Sequence, residues 1–466
     1  MIEKIVSVVN DIIWSPALVV LLVGAGLYFS VRTRFVQVRR FGLMIRSLFA
    51  PTHKNEDGVS HGISSFEAFC VALSGRVGTG NIVGVATAIA LGGPGAVFWM
   101  WIIAFFGAST AFVESTLAQK YKFHHSTGFR GGPASYIEKG LGRPWLAVVF
   151  SVCCIVGYGL LLAPVQSNGM TGALSNAFGI KPLYTGLALA ILLALVIIGG
   201  IKSISRVASV ITPFMALGYL IITAIVLAHH IADVPHVLGI IVTGAFGIKP
   251  VAGGILGSTI MMGVKRGIFS NEAGEGGGAI VSASAAVSHP AKQGLAQAFS
   301  VYVDTLLICT ATALMILCSG TYNVFDSHTG EVVYAGAEQL GDNFVAYTQS
   351  AVDSVLTGFG GTFVSIALIF FVFTTVMAYY FYGESSIIHI FSRKPGHEKA
   401  EKAAIWLFRF ALLAMVIFGA LREANVIWQL GDIGVGLTAW INVIALLVLC
   451  PEAISLLRDY ESSLKK

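Results

Sequence analysis

The sequence has little charge: 29 Lys and Arg with 24 Asp and Glu make up only 11% of its 466 residues. A soluble domain carries about 25% charged residues, so a water-exposed surface cannot be built from this chain. The six cysteines form no CxxC pair and stand in apolar segments, which argues against disulfides and thiolate-bound metals. Short segments of alternating polarity, typical of a transmembrane β-barrel, are also missing. These absences exclude a soluble nucleic-acid binder, a disordered chain and a small disulfide scaffold.

Long apolar runs fill the chain instead. Hydrophobic residues make up 56% of it, and the mean hydropathy is +0.80. A helix needs about 20 apolar residues to cross the hydrocarbon core of a bilayer, and the runs are near or above that length. The sequence therefore predicts an all-α polytopic membrane protein with about eleven transmembrane helices. The predicted spans are 13–31, 63–91, 94–119, 144–176, 183–201, 204–229, 251–288, 292–319, 360–390, 403–420 and 425–450.

The basic residues are divided unequally between the two sides of the membrane. The loops of one side hold 21 Lys and Arg, and those of the other side hold four. Because cytoplasmic loops collect Lys and Arg, we expect the N-terminus outside and the C-terminus in the cytoplasm of a bacterial-type plasma (inner) membrane. The net charge of +5 is therefore an orientation signal, and no nucleic-acid partner is expected. The basic loops are 32–62, 120–143, 201–206, 289–293, 391–402 and the tail after residue 451.

Two spans carry similar glycine-rich interruptions, at Leu73–Asn81 and at Arg266–Gly276. A shift of 196 residues aligns them, with Gly78 on Gly274. The second interrupted span comes five spans after the first, an odd number, so the two halves have opposite orientations. This is the inverted repeat of many secondary transporters, whose discontinuous helices meet near the midplane. The predicted divisions are 1–62 with an extra helix and a basic loop, the five-helix repeats 63–230 and 251–451, and the cytoplasmic tail 452–466.

An interruption of this kind has a direct physical meaning. Backbone groups in hydrocarbon must be hydrogen-bonded, so an unwound segment is tolerated only where it lines a cavity or binds a ligand. Free amides at the start of the second half-helix favour an anion, and free carbonyls at the end of the first favour a cation. Two interruptions therefore suit a zwitterion that travels with a coupling ion.

The chain resembles the alanine/glycine:cation symporters, also called sodium:alanine symporters, a family with a LeuT-type fold. The resemblance covers nearly the whole chain and is most specific in the Ser-Asn-Glu-Ala-Gly run at Ser270–Gly274. It implies a LeuT-like inverted repeat of five plus five helices with discontinuous helices, and an extra N-terminal helix. It also implies Na+-driven, or in some members H+-driven, uptake of alanine and glycine, with no organic cofactor. The other matching stretches are Gly78–Pro94, Gly131–Gly142, Gln166–Asn168, Arg266–Phe269 and Ser288–Pro290.

One position departs from the family pattern. Many members have Met after the Ala-Gly pair, where this chain has Glu275 followed by three glycines. A branch of the family associated with glutamine uptake often has a polar residue there. The resemblance therefore leaves glutamine open beside alanine as the substrate, and H+ open beside Na+ as the coupling ion.

The substrate is expected to bind between the two interruptions. The amides of Gly78–Gly80 and the hydroxyl of Thr79 would bind its carboxylate. The alternative is that Thr79 bonds within its own turn, and that a buried amide such as Gln166 or Asn168 links helices. The candidate substrate-binding residues are Gly78, Thr79, Gly80, Gln166, Phe269, Ser270, Asn271, Gly274 and Glu275.

A sodium site is predicted beside the first interruption. Hard cations take oxygen ligands. By similarity to related LeuT-type folds, the candidate ligands are the backbone carbonyls of Ser74 and Val77 and the hydroxyls of Thr374 and Thr375. The alternative is that the threonines bond only to carbonyls of their own helix.

Acidic residues inside apolar spans are rare unless they are functional or paired. We expect Glu272 to form an ion pair with Lys265, Arg266 or Arg76, which would fix the unwound segment. Glu275 is expected either to line the pocket or to act as a structural partner, and a protonatable Glu275 would also offer a route to H+ coupling. Glu114 and Asp304 are also expected to pair with basic residues, and Asp432, in a Gly-rich break, is a candidate for gating.

The favoured function is Na+-coupled symport of alanine or glycine by a monomer embedded in membrane lipid. A passive channel or an amino-acid-gated receptor on the same fold is the rival from another class, since broken helices also build pores. Because the chain lacks an HExxH motif and a nucleophile elbow, no enzymatic activity is expected.

Overall fold

The structure is a computed structural model that describes residues 2–53, 62–247, 256–326, 329–393 and 396–464. Within these ranges, eight helices are long and apolar enough to cross a membrane. Two interrupted helices and the shorter helix Pro182–Ile197 account for the other predicted spans, so the prediction of about eleven is confirmed. The first residues of the seventh predicted span, 251–255, lie outside the described residues.

The first half of the chain contains thirteen α-helices in its described residues. They are α1 (Ile2–Ile13), α2 (Pro16–Arg32), α3 (Val36–Arg39), α4 (Phe41–Leu48), α5 (Ser65–Arg76), α6 (Val83–Gly92), α7 (Ala96–Lys120), α8 (Pro133–Lys139), α9 (Pro144–Cys154), α10 (Ala163–Phe178), α11 (Pro182–Ile197), α12 (Gly200–His229) and α13 (Val234–Ala245). A π-helical segment, Ile155–Leu162, joins α9 to α10 in one span. Strands β1 (Phe123–His125) and β2 (Gly128–Arg130) form an antiparallel hairpin after α7.

The second half of the chain likewise consists of helices, a π-helical segment and one short hairpin. Its helices are α14 (Leu256–Asn271), α15 (Gly277–Ala283), α16 (Pro290–Val301), α17 (Thr310–Ser319), α18 (Phe344–Asp353), α19 (Gly360–Ser392), α20 (Glu398–Ala420) and α21 (Ala424–Ser463). A second π-helical segment, Tyr302–Cys309, joins α16 to α17. Strands β3 (Asn323–Phe325) and β4 (Val332–Ala335) form a hairpin in the linker before α18.

Both predicted interruptions are present. The first lies between α5 and α6, where Thr79–Asn81 forms a single 3-10 turn. The second lies between α14 and α15. Helix α5 packs against α15, and α6 packs against α14, so the two interrupted helices lie side by side and run in opposite directions. This is the arrangement expected of an inverted repeat.

Two long helices enclose the interrupted pair. Helix α7 packs against α14, α15 and α16, and α19 packs against α5, α10 and α12. The second half of α7 is buried from Gly107 to Gln119, because elements from both halves of the chain cover it. The start of α5 is fixed by a capping box, in which Ser64 and Glu67 exchange side-chain and backbone hydrogen bonds.

The basic loops meet at one face of the molecule, where the last helix holds them together. Helix α21 continues past the predicted end of its span, residue 450, to Ser463. Its Glu452 pairs with Lys120 at 2.6 Å, and its Glu461 pairs with Arg40 at 2.7 Å. The helix therefore continues beyond the predicted span and into the predicted tail. The described part of the tail is helical, and these ion pairs stabilise the helix beyond the apolar run.

Close contact between helices relies on glycine where the first π-helical segment crosses α21. A Cβ at Gly157 would lie 3.0 Å from the carbonyl oxygen of Gly434. A Cβ at Gly434 would lie at the same distance, 3.0 Å, from the carbonyl oxygen of Gly157. The two backbones therefore touch directly, as small residues permit between membrane helices.

We predict that Gly157→Val destabilises the protein by about 1–3 kcal/mol, because the branched side chain must push α21 away. Gly218→Val on α12 is the matched control, since a Cβ at Gly218 meets no other atom within 4 Å. Thermal unfolding in detergent measures the difference. Equal melting temperatures for the two variants would contradict the contact.

Candidate functional site

The first interruption begins where α5 ends at Arg76. Val77 is extended, with φ −79° and ψ 90°, so the helix stops there. Gly78 follows with φ −139° and ψ −150°. A Cβ at this position would lie 2.6 Å from Gln166 Oε1 and 2.7 Å from Thr375 Oγ1. Only glycine fits, because side chains from α10 and α19 reach the backbone here.

Buried amide side chains satisfy the amides of this segment. The Gly78 N–H donates to Asn81 Oδ1 at 2.9 Å. The Thr79 N–H donates to Gln166 Oε1 at 2.9 Å, and the Thr79 hydroxyl donates to the Gln166 carbonyl at 3.2 Å. Thr79 is therefore bonded to α10 rather than to its own turn. The two side-chain oxygens accept the same bonds that a carboxylate could accept.

The second interruption follows the end of α14. Glu272, Gly274 and Gly276 have positive φ, at 52°, 93° and 96°. Glycine adopts this conformation freely, whereas glutamate does so at a cost. Asn271 Oδ1 accepts the Ala273 N–H at 3.0 Å and closes the turn. Such local strain persists only where the surrounding structure determines the backbone.

Arg76 joins the two interruptions. Its Nε donates to the carbonyl of Asn271, the last residue of α14, at 2.6 Å. Its Nη1 donates to Gln297 Oε1 at 3.2 Å and to the Ser300 hydroxyl, both on α16. The side chain is only 2% exposed. Its charge lies at the C-terminal end of α14, where helix carbonyls lack partners.

An aromatic wall lies against the first interruption. A Cβ at Gly80 would lie 3.1 Å from the ring of Phe269, and the ring centroid of Phe269 is 5.0 Å from that of Trp428 on α21. The guanidinium of Arg266 lies 4.9 Å from the Trp428 centroid. Phe269 thus lies beside the first interruption. Trp428 was not predicted here, because a lone Trp in an apolar span carries no sequence signal.

Three backbone carbonyls converge on the hydroxyl of Thr375. Its Oγ1 lies 2.7 Å from the Ser74 oxygen, 3.1 Å from the Val77 oxygen and 2.8 Å from the Phe371 oxygen. Ser74 lies in the last turn of α5, Val77 directly follows this helix, and Phe371 lies one turn before Thr375 in α19. A group of uncharged oxygens suits a hard cation such as Na+. The structure brings three of the predicted sodium ligands together and adds Phe371 to them.

Thr374 is oriented differently from its neighbour. Its hydroxyl donates to the Phe370 and Phe371 carbonyls of its own helix at 2.9 and 3.1 Å. It also contacts Met215 Sδ on α12 at 3.7 Å. The alternative raised from the sequence holds for this residue, because adjacent residues of a helix point about 100° apart.

Two of the predicted partners of Glu272 form ion pairs with another acid, Asp432. Lys265 Nζ lies 2.8 Å from Asp432 Oδ2, and Arg266 pairs with the other oxygen of Asp432. Glu272 Oε2 instead accepts a hydrogen bond from the Tyr382 hydroxyl at 3.2 Å. The predicted ion pair is therefore wrong for all three candidates. Lys265 and Arg266 lie more than a turn before the interruption and reach α21, and Arg76 donates to Asn271, Gln297 and Ser300. The stretch around Asp432 is likewise continuous helix and contains no break.

The predicted basic partners of Asp304 and Glu114 are also wrong. Asp304 Oδ1 accepts from Asn81 Nδ2 at 2.7 Å, and Asp304 Oδ2 accepts from the Ser270 hydroxyl at 2.8 Å. Glu114 Oε2 accepts from Asn442 Nδ2 at 3.1 Å. Amide and hydroxyl donors take the place of charged ones. The Ser270 hydroxyl, predicted to face the substrate, donates its hydrogen bond to Asp304 instead.

The remaining predicted residues contact other elements. A Cβ at Gly274 would lie 3.0 Å from Val443 on α21 and 3.4 Å from Thr110 on α7. Glu275 Oε2 accepts from the Tyr158 hydroxyl at 3.3 Å. Asn168 donates to a carbonyl near the end of α20 at 3.0 Å, and thus links helices as the alternative proposed.

Three buried tyrosines, missed by sequence reasoning, connect the interruptions. The ring centroid of Tyr158 lies 5.2 Å from that of Tyr379 and 4.8 Å from that of Tyr382. The Tyr379 hydroxyl accepts from Gln166 Nε2 at 3.4 Å. A continuous path therefore runs from Glu275 through these rings to Gln166. The only sequence signal was the dense aromatic run at 379–382.

The fold and the interrupted helices define a membrane transporter of the inverted-repeat, LeuT-type class. The crystal structure of MhsT in complex with L-phenylalanine matches 86% of this chain and 99% of that chain. The TM-score is 0.54 and the identity is 14%, so the two proteins share their fold.

The chain belongs to the sodium:alanine symporter family, whose family model matches residues 1–466. The resemblance drawn from the sequence is thereby confirmed. A similar protein is the sodium/proton-dependent alanine carrier protein of Bacillus sp. strain PS3, 45% identical, with 87% of this chain and 89% of that protein covered. Another is the probable sodium/glutamine symporter GlnT of Bacillus subtilis strain 168, 42% identical, with 98% of this chain and 90% of that protein covered.

We predict that Thr375→Val weakens Na+ binding about tenfold or more, roughly 1.4 kcal/mol, because it removes the hydroxyl among the three carbonyls. Thr374→Val removes a hydroxyl that bonds within its own helix, and its effect should be smaller. Titration of tryptophan fluorescence or thermal stability with NaCl measures both affinities. Equal losses of affinity in the two variants would contradict the assignment.

Proposed function

We propose that this protein is a secondary active transporter that carries alanine or glycine into the cell together with Na+. One observation carries the proposal: groups suited to a cation and groups suited to an anion adjoin each other at one interruption. A Cβ at Gly78 would lie within 2.7 Å of both Thr375 Oγ1 and Gln166 Oε1. A single residue thus separates the carbonyls around Thr375 from the amide of Thr79. A zwitterion that binds beside a cation needs this arrangement.

Gln166 marks the place of the substrate carboxylate in this proposal. The carboxylate accepts the Thr79 N–H that Gln166 Oε1 otherwise accepts at 2.9 Å. Gln166 then keeps its contact with the Tyr379 hydroxyl on α19. Because a carboxylate is a stronger acceptor than an amide, the exchange favours the bound amino acid.

The aromatic wall limits the size of the substrate side chain. Phe269 lies against Gly80, and its ring is tilted by 35° against that of Trp428, so two large side chains stand where a long substrate side chain would extend. This favours glycine and alanine, and the name of the PS3 relative supports alanine.

Glutamine is the second candidate substrate. The observation that favours it is Glu275, a polar side chain that replaces the usual Met and is bonded to Tyr158. The name of the relative GlnT supports it as well.

Coupling requires Na+ to favour one conformational state over another. The oxygens around Thr375 come from two elements: Ser74 and Val77 at the end of α5, and Phe371 on α19. A cation held among them draws α5 and α19 together. The interrupted helices move as one body because Arg76 connects them, and they rock against the helices that enclose them.

The wider organisation follows from the same proposal. The basic face lies in the cytoplasm, so the N-terminus is outside and the C-terminus is inside a bacterial plasma membrane. The repeats 63–230 and 251–451 form the transport unit. The protein acts as a monomer in lipid, without an organic cofactor and without enzymatic chemistry.

The proposal predicts saturable, Na+-gradient-dependent uptake of labelled alanine or glycine into proteoliposomes. Glutamine is tested in parallel under imposed Na+ or H+ gradients, and empty vesicles are the control. Preferred uptake of glutamine would select the second candidate. Uptake that ignores both gradients would contradict symport, and large unitary currents without counterflow would indicate a channel.

A further inference from the structure

The centre of the protein has more buried acid than base. Glu114, Glu272, Glu275 and Asp304 are each no more than 1% exposed. In the described residues, the buried carboxylates with a basic partner within 4 Å are those of Glu384 and Asp432 instead. The charge of the buried base Arg76 acts on all four. A zwitterionic substrate adds no net charge to this imbalance.

Two of these acids form a pair at the second interruption. Glu272 Oε2 accepts from the Tyr382 hydroxyl, and Glu275 Oε2 accepts from the Tyr158 hydroxyl. A Cβ at Gly277 would lie 2.7 Å from Glu272 Oε2 and 2.9 Å from the Tyr158 hydroxyl. Both carboxylates and both hydroxyls therefore gather at the first residue of α15.

Each carboxylate of the pair has one buried oxygen without a hydrogen-bond partner. The two atoms are Glu272 Oε1 and Glu275 Oε1, and Glu114 Oε1 on α7 is a third central carboxylate oxygen without a partner among the described residues. An unpartnered buried oxygen is costly, and an ionised carboxylate in low dielectric more so. The cost is removed when the oxygen binds a hydrogen ion or a cation. The pair thus offers a position for a bound ion that is separate from the predicted sodium site around the Thr375 hydroxyl.

The chemistry of the pair favours a hydrogen ion over a metal ion. A bound metal takes several oxygen ligands at once, and the described residues contain no cluster of three or more His, Cys, Asp or Glu that could hold one. A hydrogen ion needs one oxygen. The position also lies on the unwound segment, at the interface about which the two parts of such a fold rock during alternating access.

Several ionisable groups face the pair from the packed elements. Arg76 comes from α5, Glu114 from α7 and Asp304 from the second π-helical segment. Asp304 accepts bonds from Asn81 and Ser270 on its two oxygens, and Glu114 lies on the continuous helix α7. Glu272 and Glu275 are the acids on the interruption itself. The remaining facing groups are Cys154, Tyr158, Tyr379 and Tyr382.

We propose that the Glu272–Glu275 pair binds a hydrogen ion that is carried together with the amino acid. The tyrosines link this position to the substrate position, since the path from Glu275 through Tyr158 and Tyr379 ends at Gln166. The step between Tyr158 and Tyr379 is a contact between rings at 5.2 Å, so displacement of Gln166 by a carboxylate reaches the pair through the packing of these tyrosines. The inference rests on the proposed symport and adds a second coupling ion to it.

The test measures hydrogen-ion movement during uptake in proteoliposomes that contain a trapped pH-sensitive dye, with the membrane potential clamped. Wild-type protein is expected to acidify the lumen in proportion to the alanine taken up under a Na+ gradient. Glu272→Gln and Glu275→Gln are expected to lose this acidification. Glu67→Gln on α5 is the matched control, because Gln preserves the capping box, and it should acidify like wild type.

The outcomes separate this inference from the proposed function. Wild-type uptake driven by Na+ with no acidification would overturn the inference and leave the symporter intact, whereas absence of Na+-driven uptake would overturn the symporter. If both Gln variants fail to transport, reaction of wild-type protein with dicyclohexylcarbodiimide decides, since this reagent modifies buried protonated carboxyl groups. Modification of Glu272 or Glu275, detected by peptide mass, supports the pair. Modification confined to other acids overturns it.

Discussion

One buried guanidinium holds the centre of this protein together. Two helices stop inside the membrane, and hydrocarbon offers nothing to bond with the groups that are released. Arg76 ends the first of these helices and donates to the last residue of the other, Asn271, while it also reaches Gln297 and Ser300 on α16. A planar group with five donors can do this in several directions at once, and an ammonium cannot.

The binding groups are arranged around this connection. The turn of α5 that carries Arg76 also presents the carbonyls of Ser74 and Val77 to Thr375 on α19. The oxygens around Thr375 and the bond from Arg76 to the second interruption therefore both depend on the last turn of α5. Movement of α5 relative to α19 changes both at the same time, which is the physical requirement for coupling an ion to a substrate.

The fold could be predicted because it depends on features that the sequence displays directly, namely the positions of glycines and the lengths of apolar runs. Glycine at Gly78 and at Gly274 located both interruptions, and long apolar runs located the spans. Partners in the interior were harder to predict. Lys265 lies near Glu272 along the chain but bonds to Asp432, because helix rotation and tertiary packing decide where a side chain points. For the same reason, only one of two adjacent threonines, Thr375, faces α5.

A structure determined with Na+ and alanine bound would test the central claim most directly. We expect the alanine carboxylate on the Thr79 amide, with Gln166 Oε1 displaced from it. We also expect a cation among Thr375 Oγ1 and the carbonyls of Ser74, Val77 and Phe371. Alanine bound elsewhere, with the bond between Thr79 and Gln166 unchanged, would contradict it.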